Sequence, residues 1–159
     1  MKTAAIIAEY NPFHNGHQYQ IEETRRRTEA DFILVLMSGD FVQRGAPALC
    51  NKYIRTKMAL LGGADLVIEL PCLYALSSAE FFAGGAVALL NQLNVVDILS
   101  FGSESGNLSL FEKCTDAVIR HDDEITPFIQ KKLKCGIPFP AARAQAVSEI
   151  LSADSDAGE

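Results

Sequence analysis

Four short apolar runs recur along this 159-residue chain, at residues 3–8 (TAAIIA), 32–37 (FILVLM), 66–69 (LVIE) and 97–101 (DILSF), and stretches of helical length separate them. Such runs are too short and too uniformly apolar for amphipathic helices, and they suit strands buried on both faces. Strands alternating with helices build βαβ units, so the pattern predicts an α/β fold with a doubly wound parallel sheet, Rossmann-like in kind. Helices are expected from about His14–His17 to Thr28, over 52–61 with a stop at Gly62-Gly63, and over 77–93. Pro71 closes the third strand. After the fourth strand only helices are expected, over 108–120, 125–134 and 141–151, with Gly136 and Pro138 between the last two. Residues 1–151 therefore read as one domain. Residues 152–159 are small, polar and acidic and read as a flexible tail.

Composition narrows the class. Apolar residues make up 48% and charged residues 21%, which excludes a disordered or fibrous chain. No apolar run reaches the roughly 18 residues that span a bilayer, and no basic stretch leads into a long apolar segment, so neither a membrane partner nor a secretory signal is expected. The net charge of −6 argues against a chain that is basic all over and binds nucleic acid without selectivity, but a local basic patch is compatible with it. Cys50, Cys72, Cys114 and Cys135 are separated by 22, 42 and 21 positions, which match no zinc or redox spacing. Reduced, mostly buried thiols in a cytoplasmic protein are expected, and no protein-held metal site.

In a doubly wound sheet, ligands sit outside the carboxyl ends of the strands, near the switch in strand order. The loop after the first strand is therefore the place to look. There His14-Asn15-Gly16-His17 opens the first helix. A helix N-terminus presents unpaired N–H groups and a positive dipole end, which suit phosphate. Histidines at i and i+3 share one helix face. Gly16 between them has no side chain to keep a nucleotide from the backbone. Paired imidazoles can donate to phosphate oxygens as charge builds during attack at an α-phosphorus, and they can ease pyrophosphate away, with no covalent enzyme intermediate. The plainer alternative is that both rings only bond locally at a helix start.

An HxGH string after a first strand resembles the nucleotidyltransferase superfamily, and further blocks follow in order. They are EYNPFHNGH at 9–17, MSGDFVQRG at 37–45, RTKMAL at 55–60, DLVIELP at 65–71 and FGSE at 101–104. Together they are similar to the bacterial tRNA(Met) cytidine acetate ligase family over residues 1 to about 151. That resemblance implies an HxGH nucleotidyltransferase fold and an ATP-dependent ligase. Acetate becomes acetyl-adenylate, and the acetyl group then passes to N4 of the wobble cytidine of elongator tRNA(Met). It implies His14 and His17 as the catalytic pair. It implies ATP contacts at Ile7, Ala8, Glu9, Tyr10, Asn11, Pro12, Phe13, His14, Asn15, Gly16, His17, Gln18, Tyr19 and Gln20, and at Gly102, with Mg2+ carried on the nucleotide's phosphates. The family's pattern continues past residue 159, so the chain is expected to be an N-terminal portion or a shortened member.

Other charged residues line the loops on the same side. Arg44, Lys52, Arg55 and Lys57 are candidate contacts for phosphates of ATP or of the tRNA, or else a solvated helix face. Asp40, Glu69 and Glu80 can orient a substrate or merely polarise element ends. Arg25, Arg26 and Arg27 complement the dipole at the end of the first helix. A small-molecule adenylyltransferase, or a nucleotide- or RNA-binding module without turnover, stays open beside the ligase reading, as does self-association into a homo-oligomer.

Overall fold

The computed structural model describes residues 1–156, which form two compact units, Met1–Gly102 and the helical remainder from Ser103. In the first unit, β1 (Thr3–Ala8), β2 (Phe32–Ser38), β3 (Leu66–Leu70) and β4 (Ile98–Ser100) form one sheet in the order β3-β2-β1-β4. All three pairings are parallel. The register sets Ala4 against Ile33 and Ile98, and Leu36 against Ile68.

The apolar runs alternate between two cores. On one face, Ala4, Ile6, Ile33, Val35 and Met37 pack against Ile21 of α1 (Asn15–Thr28) and Ala59 of α2 (Lys52–Leu61). On the other, Ala5, Leu34, Leu36 and Leu70 pack against Ala75 of α3 (Cys72–Ala75) and Ala86 and Leu90 of α4 (Ala79–Leu93). Helices on both faces explain why the strands read as continuous apolar runs rather than alternating ones. The chain steps outward from β1 through β2 to β3, then returns to lay β4 on the other side of β1. The strand order therefore switches between β1 and β4. Thr24 of α1 and Ser100 of β4 share a 2.7 Å hydroxyl hydrogen bond near this switch.

The second unit contains α5 (Leu108–Arg120), α6 (Asp122–Lys134) and α7 (Phe139–Asp156). Ile125 and Ile129 of α6 and Ala142 and Ala146 of α7 form its core, flanked by Val118 of α5. No described helix is long and apolar enough to cross a membrane.

Several expectations are corrected. The helix expected over 77–93 is α4 (Ala79–Leu93), and a short helix not expected from the sequence, α3, precedes it directly after Pro71. The last helix does not stop at 151 but runs to Asp156, so most of the expected tail is helical, and only residues 157–159 lie outside the described residues. None of the four cysteines is buried as expected: Cys50 and Cys114 are half-buried, and Cys72 and Cys135 are exposed.

Candidate active site

The site begins where β1 ends. Glu9 leaves the strand, and Tyr10 takes a left-handed backbone turn (φ 47°) that few non-glycine residues adopt. The Asn11–Pro12 peptide is cis. These turns deliver His14 as the N-cap of α1. Tyr10 is buried, and burial pushes its hydroxyl up to about 12. Its ring meets Phe13 edge-on at 4.9 Å and lies 4.7 Å from the His17 ring. Phe13 in turn rests on Gly62 at the end of α2, where a Cβ would collide with its ring. An aromatic floor thus supports the histidines.

The two imidazoles stack at 3.6 Å with 21° between their planes. They cap the helix reciprocally. Gly16 N–H donates to His14 Nδ1 at 3.1 Å, and His14 N–H donates to His17 Nδ1 at 3.3 Å. The arrangement is the reciprocal cap of Ser/Thr with Glu, built from two histidines. It also assigns the tautomers. With both Nδ1 atoms accepting, the ring protons sit on Nε2, so both rings are N–H donors at the free start of a helix. His17 is pulled below the ordinary imidazole range, first by burial and then by the neighbouring His14. Gly16 is explained by the same packing, since a Cβ there would press on the His14 ring at 3.0 Å. At the end of β4, by contrast, a Cβ on Gly102 would meet nothing. No atom of the described residues demands glycine at that position.

The loop after β2 folds over this region and is tied to it. Gln43 N–H donates to Glu9 Oε1 at 2.9 Å, and Leu49 N–H donates to Asn11 Oδ1 at 2.6 Å. The remaining predicted contacts serve local roles. Ile7 joins the core toward α4, Ala8 the core toward α1, and Gln18 bonds Glu22 at 2.8 Å. Asn15, Tyr19 and Gln20 lie on the first turns of α1, with Tyr19 exposed.

The basic residues divide. Lys52 holds Glu69 at 2.7 Å, and its backbone N–H is bonded by Asp40 at 2.7 Å. Lys57 is exposed on α2. The side chain of Arg44 lies outside the described residues. Arg55 is the correction. Instead of facing a phosphate it is wholly buried, and its guanidinium donates to four backbone carbonyls. Arg25, Arg26 and Arg27 pair with Asp65 and Glu23 and so play the structural part. Among the described residues, no three His, Cys, Asp or Glu side chains cluster as metal ligands.

The model of the family described as HIGH Nucleotidyl Transferase matches residues 1–158. The chain belongs to the HIGH nucleotidyltransferase family. Within it, the chain is 47% identical over 152 residues to the tRNA(Met) cytidine acetate ligase of Acetivibrio thermocellus, covering 96% of this chain and 37% of that protein. It is 49% identical to the enzymes of the same name from Clostridium perfringens and Caldicellulosiruptor saccharolyticus, over 95% and 97% of this chain and 38% of each of theirs. A crystal structure of Thermotoga maritima TmcAL bound with alpha-thio ATP superposes with a TM-score of 0.87 at 39% identity, over 98% of this chain and 37% of that one. The chain thus spans little more than a third of the length of these relatives. Their fold over this stretch is the α/β, HxGH nucleotidyltransferase fold expected from the sequence.

Proposed function

We propose that this chain carries the ATP-binding and adenylating part of a tRNA(Met) cytidine acetate ligase. The observation that carries the reading is the pair of imidazole Nε2–H donors at the start of α1, beside the β1–β4 switch. Support comes from the likeness to ligases of that name and to a relative crystallised with an ATP analogue.

On this reading the triphosphate lies against His14, His17 and the first turn of α1, and the nucleoside passes over Gly102. Mg2+, if carried on the phosphates, would supply charge neutralisation there. An acetate oxygen attacks the α-phosphorus, and the bond to the bridging oxygen of pyrophosphate breaks. The histidines donate to the oxygens on which negative charge grows. The exocyclic amine of the wobble cytidine then attacks the acetyl carbon, loses a proton and releases AMP. Lys57 and Arg44 supply phosphate contacts to the elongator tRNA, and Lys52 does so after exchanging Glu69 for phosphate. A chain acting on tRNA would work in the cytoplasm.

The test is acetate-dependent exchange of labelled pyrophosphate into ATP. Exchange that requires acetate and is lost in His14→Ala and His17→Ala supports the proposal. Exchange that requires a phosphorylated metabolite instead would favour small-molecule adenylyl transfer, a reading the broad family description also accommodates. ATP binding without exchange under any acceptor would leave a binding module.

A further inference from the structure

Among the described residues Arg55 is the largest wholly buried side chain, and it is charged. Its Nε donates to Cys50 O at 2.9 Å, one terminal nitrogen donates to Glu9 O at 2.6 Å and Ser38 O at 3.0 Å, and the other donates to Gly39 O. These carbonyls come from three segments, namely the exit of β1, the exit of β2, and the end of the loop that returns to α2. None of the ion pairs among the described residues includes Arg55. Every hydrogen bond of this buried cation goes to a backbone carbonyl, while the Asp40, Glu9 and Glu69 carboxylates act on it from longer range. Its effect is geometric. Four carbonyl oxygens that would repel one another are held around one planar fork, which a lysine cannot reproduce.

The tie reaches the histidines in one step. Glu9, whose carbonyl it holds, precedes Tyr10, whose ring lies against His17. The Glu9 carboxylate fixes Gln43 N–H, and Asn11 fixes Leu49 N–H, so the loops after β1 and β2 meet over the same guanidinium. We propose that Arg55 is a positioning residue for adenylation: it locks the carboxyl ends of β1 and β2 together and thereby presets the His14–His17 cradle for a nucleoside triphosphate. The inference rests on the ATP-binding reading given above.

The experiment compares Arg55→Lys and Arg55→Met with Leu90→Ala, which weakens the opposite core and lies away from the tie. Circular dichroism and melting establish the folded state, and ATP affinity is then measured by calorimetry well below each melting temperature. Folded Arg55→Lys is expected to bind ATP at least about ten-fold more weakly, with a larger loss for Arg55→Met, while Leu90→Ala melts earlier and binds as wild type. Exchange kinetics should show the ATP KM rising and kcat falling, with the KM for acetate unmoved. Wild-type affinity in folded Arg55→Lys would overturn the inference, because a residue serving only the fold would give that result. If neither Arg55 variant folds, the wild-type chain decides by the side-chain Nε resonance of Arg55. Movement of that resonance on ATP saturation supports coupling to the cradle, and an unmoved resonance refutes it. A wild-type chain with no affinity for ATP sinks the adenylation reading and this inference with it. Tight wild-type binding with an indifferent Arg55→Lys sinks this inference alone.

Discussion

On the proposed reading, the chemistry of this chain is concentrated in two imidazoles whose roles are set by which nitrogen is occupied. Their positions were legible in the sequence, because HxGH directly after a first buried strand has few uses. The nitrogen that faces outward was not, since it depends on the Gly16 and His14 amides folding back onto Nδ1. His17 carries a pH signature. Its imidazole lies below the ordinary 6.5 in the folded chain, so the unfolded chain takes up the proton first. Stability therefore falls as pH drops from above 6.5 toward the folded value, and it is unaffected well above that range. His17→Gln should flatten this part of the curve, as read from denaturant midpoints between pH 7.5 and 5.5; an unchanged slope would remove His17 as its source. The glycines give a second prediction. Gly16→Val displaces the His14 ring, and Gly102→Val fills open space, so both should weaken ATP binding by about ten-fold or more while shifting the melting point by only a few degrees. A large fall in melting temperature without ligand would instead make either glycine a fold requirement.

Among the elements, the strands were the most legible, since each apolar run is buried from both sides. α3 was missed because four residues following a proline carry no period to read. α2 misled in a more instructive way. Its buried face is Arg55 and Ala59, while Ile54, Leu60 and Leu61 are exposed. Its large apolar residues therefore do not mark its inner side, which a cation and a small alanine form instead. The spacing of Arg55 and Ala59, one turn apart and in line with Gly62, was the available signal. The start of α2 is held by Asn51, whose side chain accepts from Ile54 N–H at 2.9 Å. Asn51→Ala should cost about 1 kcal/mol of stability, the usual worth of such a cap. Chemical denaturation measures this, and a loss within error would mean that Asp40, bonded to Lys52 N–H, holds the helix start alone.

At the scale of the whole molecule, the single domain expected over 1–151 resolves into two compact units, with the division at Gly102–Ser103. The sequence marked this place as a Gly-Ser-Glu-Ser-Gly loop, but alternation of strands and helices carries no information about where packing separates. Residues 101–110 are all exposed. A glutamate-specific protease should therefore cut first after Glu104 and release fragments matching the two units by mass. Earlier cleavage after Glu9, Glu69 or Glu80 would contradict the division. The whole arrangement converges on one physical claim, that the start of α1 with its two Nε2–H donors is where ATP is gripped. A crystal structure of the protein with a non-hydrolysable ATP analogue is the most direct test. Phosphate oxygens within hydrogen-bond distance of Nε2 on His14 and His17, with the nucleoside over Gly102, are the predicted result. A well-ordered nucleotide bound elsewhere, with both imidazoles still facing solvent, would contradict it.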